Sequence, residues 1–294
     1  MNQKGIRLFW FVGSSVFVDI SLFAQNTVVL KERVVRGLEV AQNKIRSAQC
    51  TITLRAKNAN VPLKDQNGIV VPPMPEKMVT VVATKGRKSY TENTSTAPVT
   101  SRTIYDGKQA YMSTSAKIPN PDQPMVWQAT RAGAGGVKEW MYDLFGKNVL
   151  DLLKAGQFKN LTSSSSPDYG EVVTVTFDPR KDLAGIPLRT VSVDLAPTYG
   201  FAVVKMRTDG LVTQQITKFV RKEGIALPLQ AKRTFYITRG GQTRSYRSET
   251  IIFSGLQVNN VPDTLFVINI KPGDVVQENG TRYTVGPNGE RVRQ

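Results

Sequence analysis

The chain has no histidine and a single cysteine, Cys50, among 294 residues. The absence of histidine excludes Ser-His-Asp and Cys-His activation of a nucleophile, and with them imidazole-ligated zinc or iron. One cysteine forms no intramolecular disulfide, no CxxC redox pair and no thiolate metal cluster. Cys50 also lies too far from the N-terminus to be the lipidated cysteine of a lipoprotein, and is expected as a small buried apolar residue. Phosphate-binding glycine motifs are missing as well. No GxGxxG follows a strand and opens a helix, and the Gly133–Gly136 stretch lacks the Lys-Ser/Thr ending of a P-loop. There is no Asp/Asn-rich calcium loop and no repeat of fixed period. Neither a cofactor nor a metal is expected.

Acidic residues are scarce. Asp and Glu number 23 against 39 Lys and Arg, for a formal charge of +16. Nucleic acid, an anionic membrane surface or an acidic envelope polymer would each suit this balance. The charge is spread along the chain, with Arg221-Lys222 and Lys232-Arg233 its densest pairs, as on a solvated basic surface. Tyr236 and Tyr246 among Lys232, Arg233, Arg239, Arg244 and Arg247 place aromatics beside cations on one expected hairpin. That pattern can stack bases and track phosphates, but it is also common on ordinary sheet surfaces, and nucleic acid is not an expected partner.

Long apolar runs are confined to the N-terminus. MNQKGIRLFWFVGSSVFVDISLFA sets Lys4 and Arg7 before an apolar run from Leu8 to Val18, the layout of a secretory signal peptide. The run is short for a membrane span. Ala24 suits the last position before a cleavage site, whereas Leu22 is larger than the usual small residue. A soluble exported protein and one tethered by an uncleaved segment both remain open. The expected organisation is a signal peptide at 1–24 and one domain over 25–294, with 259–294 an irregular C-terminal extension.

Hydrophobic residues make up 40% of the chain, enough for a sizeable core. From Thr27 to Ala48 an apolar stripe of Leu30, Val34, Leu38, Ala41 and Ile45 predicts an amphipathic helix. The period then falls to two, and Ile52, Leu54 and Ala56 mark a first strand. Residues 58–75, rich in Pro and Asn, read as a loop. Hairpins are expected around Lys85-Gly86 and around Asp106-Gly107, a pair that suits a type I′ turn. A strand near Met125–Thr130 follows, and residues 131–136 form a break. Val137–Leu153 returns to helical character, interrupted at Gly146-Lys147-Asn148. The rest reads as a meander of strands over 158–162, 171–177, 188–195, 201–208, 211–220, 229–239 and 243–253, with Ser163–Ser166 as a short linker. A small hairpin over 282–292 ends the chain. The expected fold class is mainly β with a few α-helices (α+β): a curved antiparallel sheet or unclosed half-barrel whose concave face is covered by helices.

With histidine and thiolate chemistry excluded, carboxylate pairs are the main acid–base option. Asp178, Asp182 and Asp194 are candidates for a hydrolase, but each is read at a strand end or turn, where aspartate caps the backbone. No enzyme is expected. A curled sheet under helices instead offers an apolar cavity, to which Trp127, Trp140, Met141, Phe145 and Leu152 are candidate contributors. Cavity lining and solid core use the same residue types, so both readings stay open.

The order of these elements, with the phrases TITLRAK, TIYDGKQAYM, VDLAPTYGFAVVKM and NNVPDTLFVINIKPGDVV, resembles the LolA/LolB-type fold of outer-membrane lipoprotein-sorting proteins in its larger bacterial variants, over most of residues 27–276. The resemblance implies a half-open barrel with helices as a lid. It implies an exported periplasmic or cell-envelope protein that binds a lipoprotein acyl chain or lipid as a carrier or sensor. The alternative it leaves is a structural or regulatory envelope protein that presents the fold to a protein partner, such as a lipoprotein, or to an anionic membrane surface.

Overall fold

The computed structural model describes residues 26–58, 76–95, 99–116, 125–130, 136–182, 190–209, 211–239 and 242–294. The expected signal peptide, the 59–75 loop, most of the 131–136 break and the glycines Gly210, Gly240 and Gly241 lie outside them. Among the described residues no helix is long and apolar enough to cross a membrane.

Helix α1 spans 26–43 and leads directly into strand β1 (Ser47–Asn58). Strands β2 (Lys77–Lys85), β3 (Lys88–Ser95), β4 (Val99–Tyr105), β5 (Ala110–Ala116) and β6 (Val126–Thr130) follow. Helix α2 (Val137–Tyr142), the small hairpin β7 (Asp143–Leu144) and β8 (Lys147–Asn148), and helix α3 (Val149–Lys154) interrupt the strands. Then come β9 (Asn160–Ser166), β10 (Gly170–Phe177), the single turn α4 (Pro179–Asp182), β11 (Val191–Ala196), β12 (Ala202–Thr208), β13 (Val212–Lys222), β14 (Ile225–Arg239) and β15 (Gln242–Val258). β16 (Val275–Glu278), β17 (Thr281–Val285) and β18 (Arg291–Arg293) end the chain.

Apart from β7 and β8, these strands form one sheet in the order β18-β17-β16-β6-β5-β4-β3-β2-β1-β15-β14-β13-β12-β11-β10-β9. No pairing joins its two ends among the described residues, so the sheet is unclosed and the mainly β, α+β class holds. Neighbours are antiparallel except β16 and β6, which run parallel through Val275↔Val126.

Alternation along the strands creates two main cores on opposite faces, beside a smaller cluster of Tyr169, Val172, Ala196 and Val204. Cys50 and Val82, paired across β1 and β2, point into the first with Val34 and Leu38 of α1 and Leu152 and Leu153 of α3. Ala83, one residue on, enters the second with Tyr90, Ile104, Tyr111 and Trp127, which is covered by Val261 and Phe266. Helices therefore cover one face over β1 and β10–β15, and the C-terminal segment covers the other over β2–β6. Cys50 is buried as expected, and burial pushes its thiol up to about 12.

The predicted stripe of α1 is the observed one: Val34, Leu38 and Ile45 are buried, with Leu30 and Ala41 packed against them. The helix nonetheless stops at 43 rather than 48. Asn259, 213 positions from Arg46, accepts the Arg46 N–H at 2.8 Å and donates to the Lys44 carbonyl at 3.0 Å. That long-range cap ends the helix without a local Gly or Pro.

Other differences have similar causes. Ser163–Ser166 is not a linker but part of β9, paired with β10 through Ser163↔Val173 and Ser166↔Gly170. Serine makes no apolar alternation, and at the sheet edge none is needed. The β4–β5 connection is not a two-residue type I′ turn: Tyr105 pairs with Ala110, and Asp106 Oδ1 accepts the N–H groups of Lys108 and Gln109 at 2.8 and 2.9 Å. These bonds hold the Asp106 carboxyl below its usual range. β16 was not anticipated, because it is only four residues long and pairs with a strand about 150 positions earlier.

Candidate functional site

β1 and β15 lie between β2–β4 and β12–β14 in the sheet order, yet both sets of strands line one cleft of about 840 Å³. The sheet therefore curls, bringing Thr84, Ser89 and Tyr105 opposite Met206, Gln214 and Phe235. Trp140, Asp143 and Phe145, from α2 and the β7–β8 hairpin, line its end. A smaller cavity of about 600 Å³ lies outside α1, between Val29, Val40, Tyr199 and Phe201.

Local sequence sets the end wall. α2 stops at Tyr142, and the chain reverses at Phe145-Gly146, where both residues have positive φ (51° and 78°), as a two-residue type I′ hairpin requires. Asn148 then caps α3, its Oδ1 accepting the Leu150 N–H at 3.0 Å. The same side chain exchanges two hydrogen bonds with Gln42 of α1, at 3.1 and 3.2 Å, and locks the hairpin to that helix. Positive φ is unusual for an aromatic residue. Phe145 is also 48% exposed, so neither backbone preference nor burial accounts for an aromatic ring at this site.

The sheet wall carries a buried charge cluster. Arg233 on β14 faces Glu249 on β15, and Phe235 faces Arg247. Glu249 is 2% exposed and accepts from Arg247 at 2.6 Å, while Arg233 Nη1 stands 3.5 Å from its other oxygen. Arg233 donates from Nε and Nη2 to Gln214 Oε1 at 2.9 and 2.7 Å, and its guanidinium sits 5.2 Å from the centre of the Trp140 ring. The edge of Phe253 meets Trp140 at 5.3 Å. Burial holds the Arg233 guanidinium below its ordinary range; Glu249 opposes that shift and Arg247 adds to it.

Across the cleft, burial pushes the Asp143 carboxyl up to about 6, with Glu139 adding to the shift. The folded chain therefore holds a proton that the unfolded chain releases near the ordinary aspartate value. Stability contributed by that proton is full below about pH 4, falls as pH rises to about 6, and is flat above. Asp143→Asn is expected to flatten this slope in thermal melts between pH 4 and 7 while keeping an oxygen for Asn148 Nδ2, which lies at 3.0 Å. An unchanged slope would refute the assignment.

Of the five residues expected from sequence, the structure brings Trp140 and Phe145 together in the cleft. Met141 and Leu152 lie in the first core, 0% and 2% exposed. Trp127 belongs to the second core on the opposite face, where its Nε1–H donates to buried Asp274 at 3.0 Å. Asp178, Asp182 and Asp194 do not form one site. Asp178 and Asp182 cap α4, as expected, accepting the N–H groups of Arg180 and Asp178. Asp194 is not at a turn: it lies within β11, where Arg207 donates to both its oxygens at 2.7 and 2.6 Å and Thr174 donates at 2.8 Å. Among the described residues, no group of three or more His, Cys, Asp or Glu is placed to hold a metal ion. Of the cations near Tyr236 and Tyr246, Arg247 is held by Glu249 at 2.6 Å, whereas Arg233 donates to Gln214 and stands 3.5 Å from Glu249.

Sequence reasoning missed Met206, Gln214, Phe235 and Glu249, and did not connect Arg233 with the cleft. Pairing alone does not supply the signal: continued unbroken from Arg239↔Gln242, the register sets Arg233 opposite Ser248, and only the shift between Phe235 and Tyr236 brings it opposite Glu249.

No family model matches the chain, and no curated protein matches it. Among solved structures it is similar in fold to a DUF1329 family protein from Desulfovibrio piger, at 10% identity and a TM-score of 0.45 over 82% of this chain and 97% of that one. It is also similar to a LolA superfamily protein from Nitrosomonas europaea, at 14% identity and a TM-score of 0.41 over 79% of this chain and 96% of that one. These likenesses concern the arrangement of sheet and helices alone.

Proposed function

We propose that this chain is a non-enzymatic binding protein that holds an apolar ligand, such as a lipid or lipoprotein acyl chain, in the cleft between the curled sheet and the α2–β7–β8 end wall. It acts as a carrier or sensor in the periplasm or cell envelope, the compartment that residues 1–24 suggest. The observation that carries this reading is Phe145. A two-residue turn with positive φ favours Asn or Gly, and an aromatic ring exposed to water gains little. Its placement makes sense if the ring meets a ligand, since strained residues concentrate at binding sites. The cleft volume lies within the range of about 300–1,000 Å³ common for small-molecule sites, and Trp140, Met206, Val212 and Phe235 add apolar lining.

The test separates binding from stability. Phe145→Asn restores the preferred Asn-Gly turn, so it is expected to leave the melting temperature unchanged or raised. It is also expected to weaken uptake of a fluorescent fatty acid about tenfold, or about 1.4 kcal/mol. Unchanged uptake would remove Phe145 from the site. No uptake by the unsubstituted chain, and no lipid extracted from it, would refute the binding function.

A further inference from the structure

We propose that the cleft takes a single-chain amphiphile with an anionic head group, a carboxylate or a phosphate monoester, and that Arg233 recognises the charge. This rests on the apolar-ligand reading and specifies the polar end of that ligand.

The warrant is the incomplete pairing of Arg233. A guanidinium has five N–H donors in a fixed fork. Among the described residues, Arg233 hydrogen-bonds only to Gln214 Oε1, and its ion pair with Glu249 is long at 3.5 Å. Glu249 is shared with Arg247, which holds it at 2.6 Å, so two cations face one carboxylate. The surplus positive charge borders the cleft through Arg233 and is pinned there by the Trp140 ring.

A wholly neutral ligand filling this space would remove water from Arg233 and give nothing back, a cost that burial of an incompletely paired charge always carries. An oxyanion returns charge-assisted hydrogen bonds, and the planar fork suits carboxylate and phosphate. The surrounding charges set its direction. Glu139 and Asp143 line the α2 side and repel an anion there. Arg87 and Lys88, at the β2–β3 turn, border the same cleft, with Lys88 tied to Asp263 at 2.9 Å. The head group therefore faces the sheet wall at Arg233, and the chain lies along Trp140, Phe145 and Phe235. The cleft volume suits one chain.

The test uses the purified chain and displacement of a fluorescent naphthylamine probe by decanoate, decyl phosphate and decan-1-ol. At least one anion is expected to bind about tenfold or more tightly than the alcohol, and the ratio of the two anions identifies the head group. Arg233→Met is expected to abolish the anion preference; Glu249 keeps its partner Arg247 in that variant. Arg233→Lys, which keeps charge but loses the fork, is expected to reduce the preference and serves if Arg233→Met does not fold. Equal binding of alcohol and anions by the unsubstituted chain would overturn the proposal while leaving an apolar site. A preference that survives both substitutions would overturn the role of Arg233. Failure of all three ligands to bind would instead refute the binding function itself.

Discussion

Glu249→Ala is expected to lower the stability of the folded chain by about 3–5 kcal/mol, the usual cost of removing one member of a buried ion pair. Glu249 is almost fully buried, and the side chains of Arg247 and Arg233 on either side of it are 10% and 26% exposed. Its loss leaves two like charges facing each other with no anion between them. The arginines would have to draw in water or turn outward, and both routes disturb contacts around them. Arg247 lies over the Phe235 ring and Arg233 over Trp140, which in turn abuts Phe253 of the first core. For a chain of this size the loss corresponds to a fall of roughly 6–15 °C in melting temperature. Glu249→Gln, which keeps the shape and one acceptor, is expected to fall between Ala and the unsubstituted chain. A Glu249→Ala melt within about 2 °C of the parent would show that the cluster is hydrated and contributes little.

This cluster also shows where sequence reasoning stops. Local pattern was enough to find α1, most strands and the class of fold, because apolar period and turn residues act over a few positions. Val34, Leu38 and Ile45 could be assigned to one buried stripe for that reason. The end of α1 could not, since Asn259 caps it from the far end of the chain. β16 was hidden because a four-residue strand acquires its identity from pairing with β6. The candidate site was legible only in its end wall. Trp140 and Phe145 stand out as large apolar residues near a break in a helical pattern, and so do Met141 and Leu152, which are core. Residue type does not distinguish them: helix rotation buries Met141, while the positive φ at the turn exposes Phe145. Arg233 and Glu249 are ordinary charges in sequence and become a site only through register. A shift of one residue would move Arg233 to the other face of the sheet.

Gly37→Leu is expected to destabilise the chain by about 3 kcal/mol, the upper part of the usual range for overpacking. Helix propensity alone predicts the opposite, since glycine within a helix costs about 1 kcal/mol relative to a good helix former. The deciding contact is Phe201. A Cβ placed on Gly37 would stand 2.1 Å from Phe201 Cε2 and 2.3 Å from Cδ2, well inside contact distance. The ring cannot move aside freely. It is 8% exposed and attached to backbone at φ 56°, directly after Gly200, which itself approaches Ala41 one helical turn further along α1. α1 therefore rests on the Gly200–Phe201 corner through Gly37 and Ala41, and that close approach brings Val34 and Leu38 into the first core. A side chain at 37 would lift the helix from the corner and weaken both contacts. Gly37→Ala separates the two effects, because it adds the full helix propensity and only one carbon. It is expected to lower the melting temperature in the parent chain but raise it in a Phe201→Ala background, where the ring is gone. Such a change of sign is the signature of direct coupling in a double-mutant cycle. Stabilisation by Gly37→Ala in both backgrounds would show that α1 does not depend on this approach.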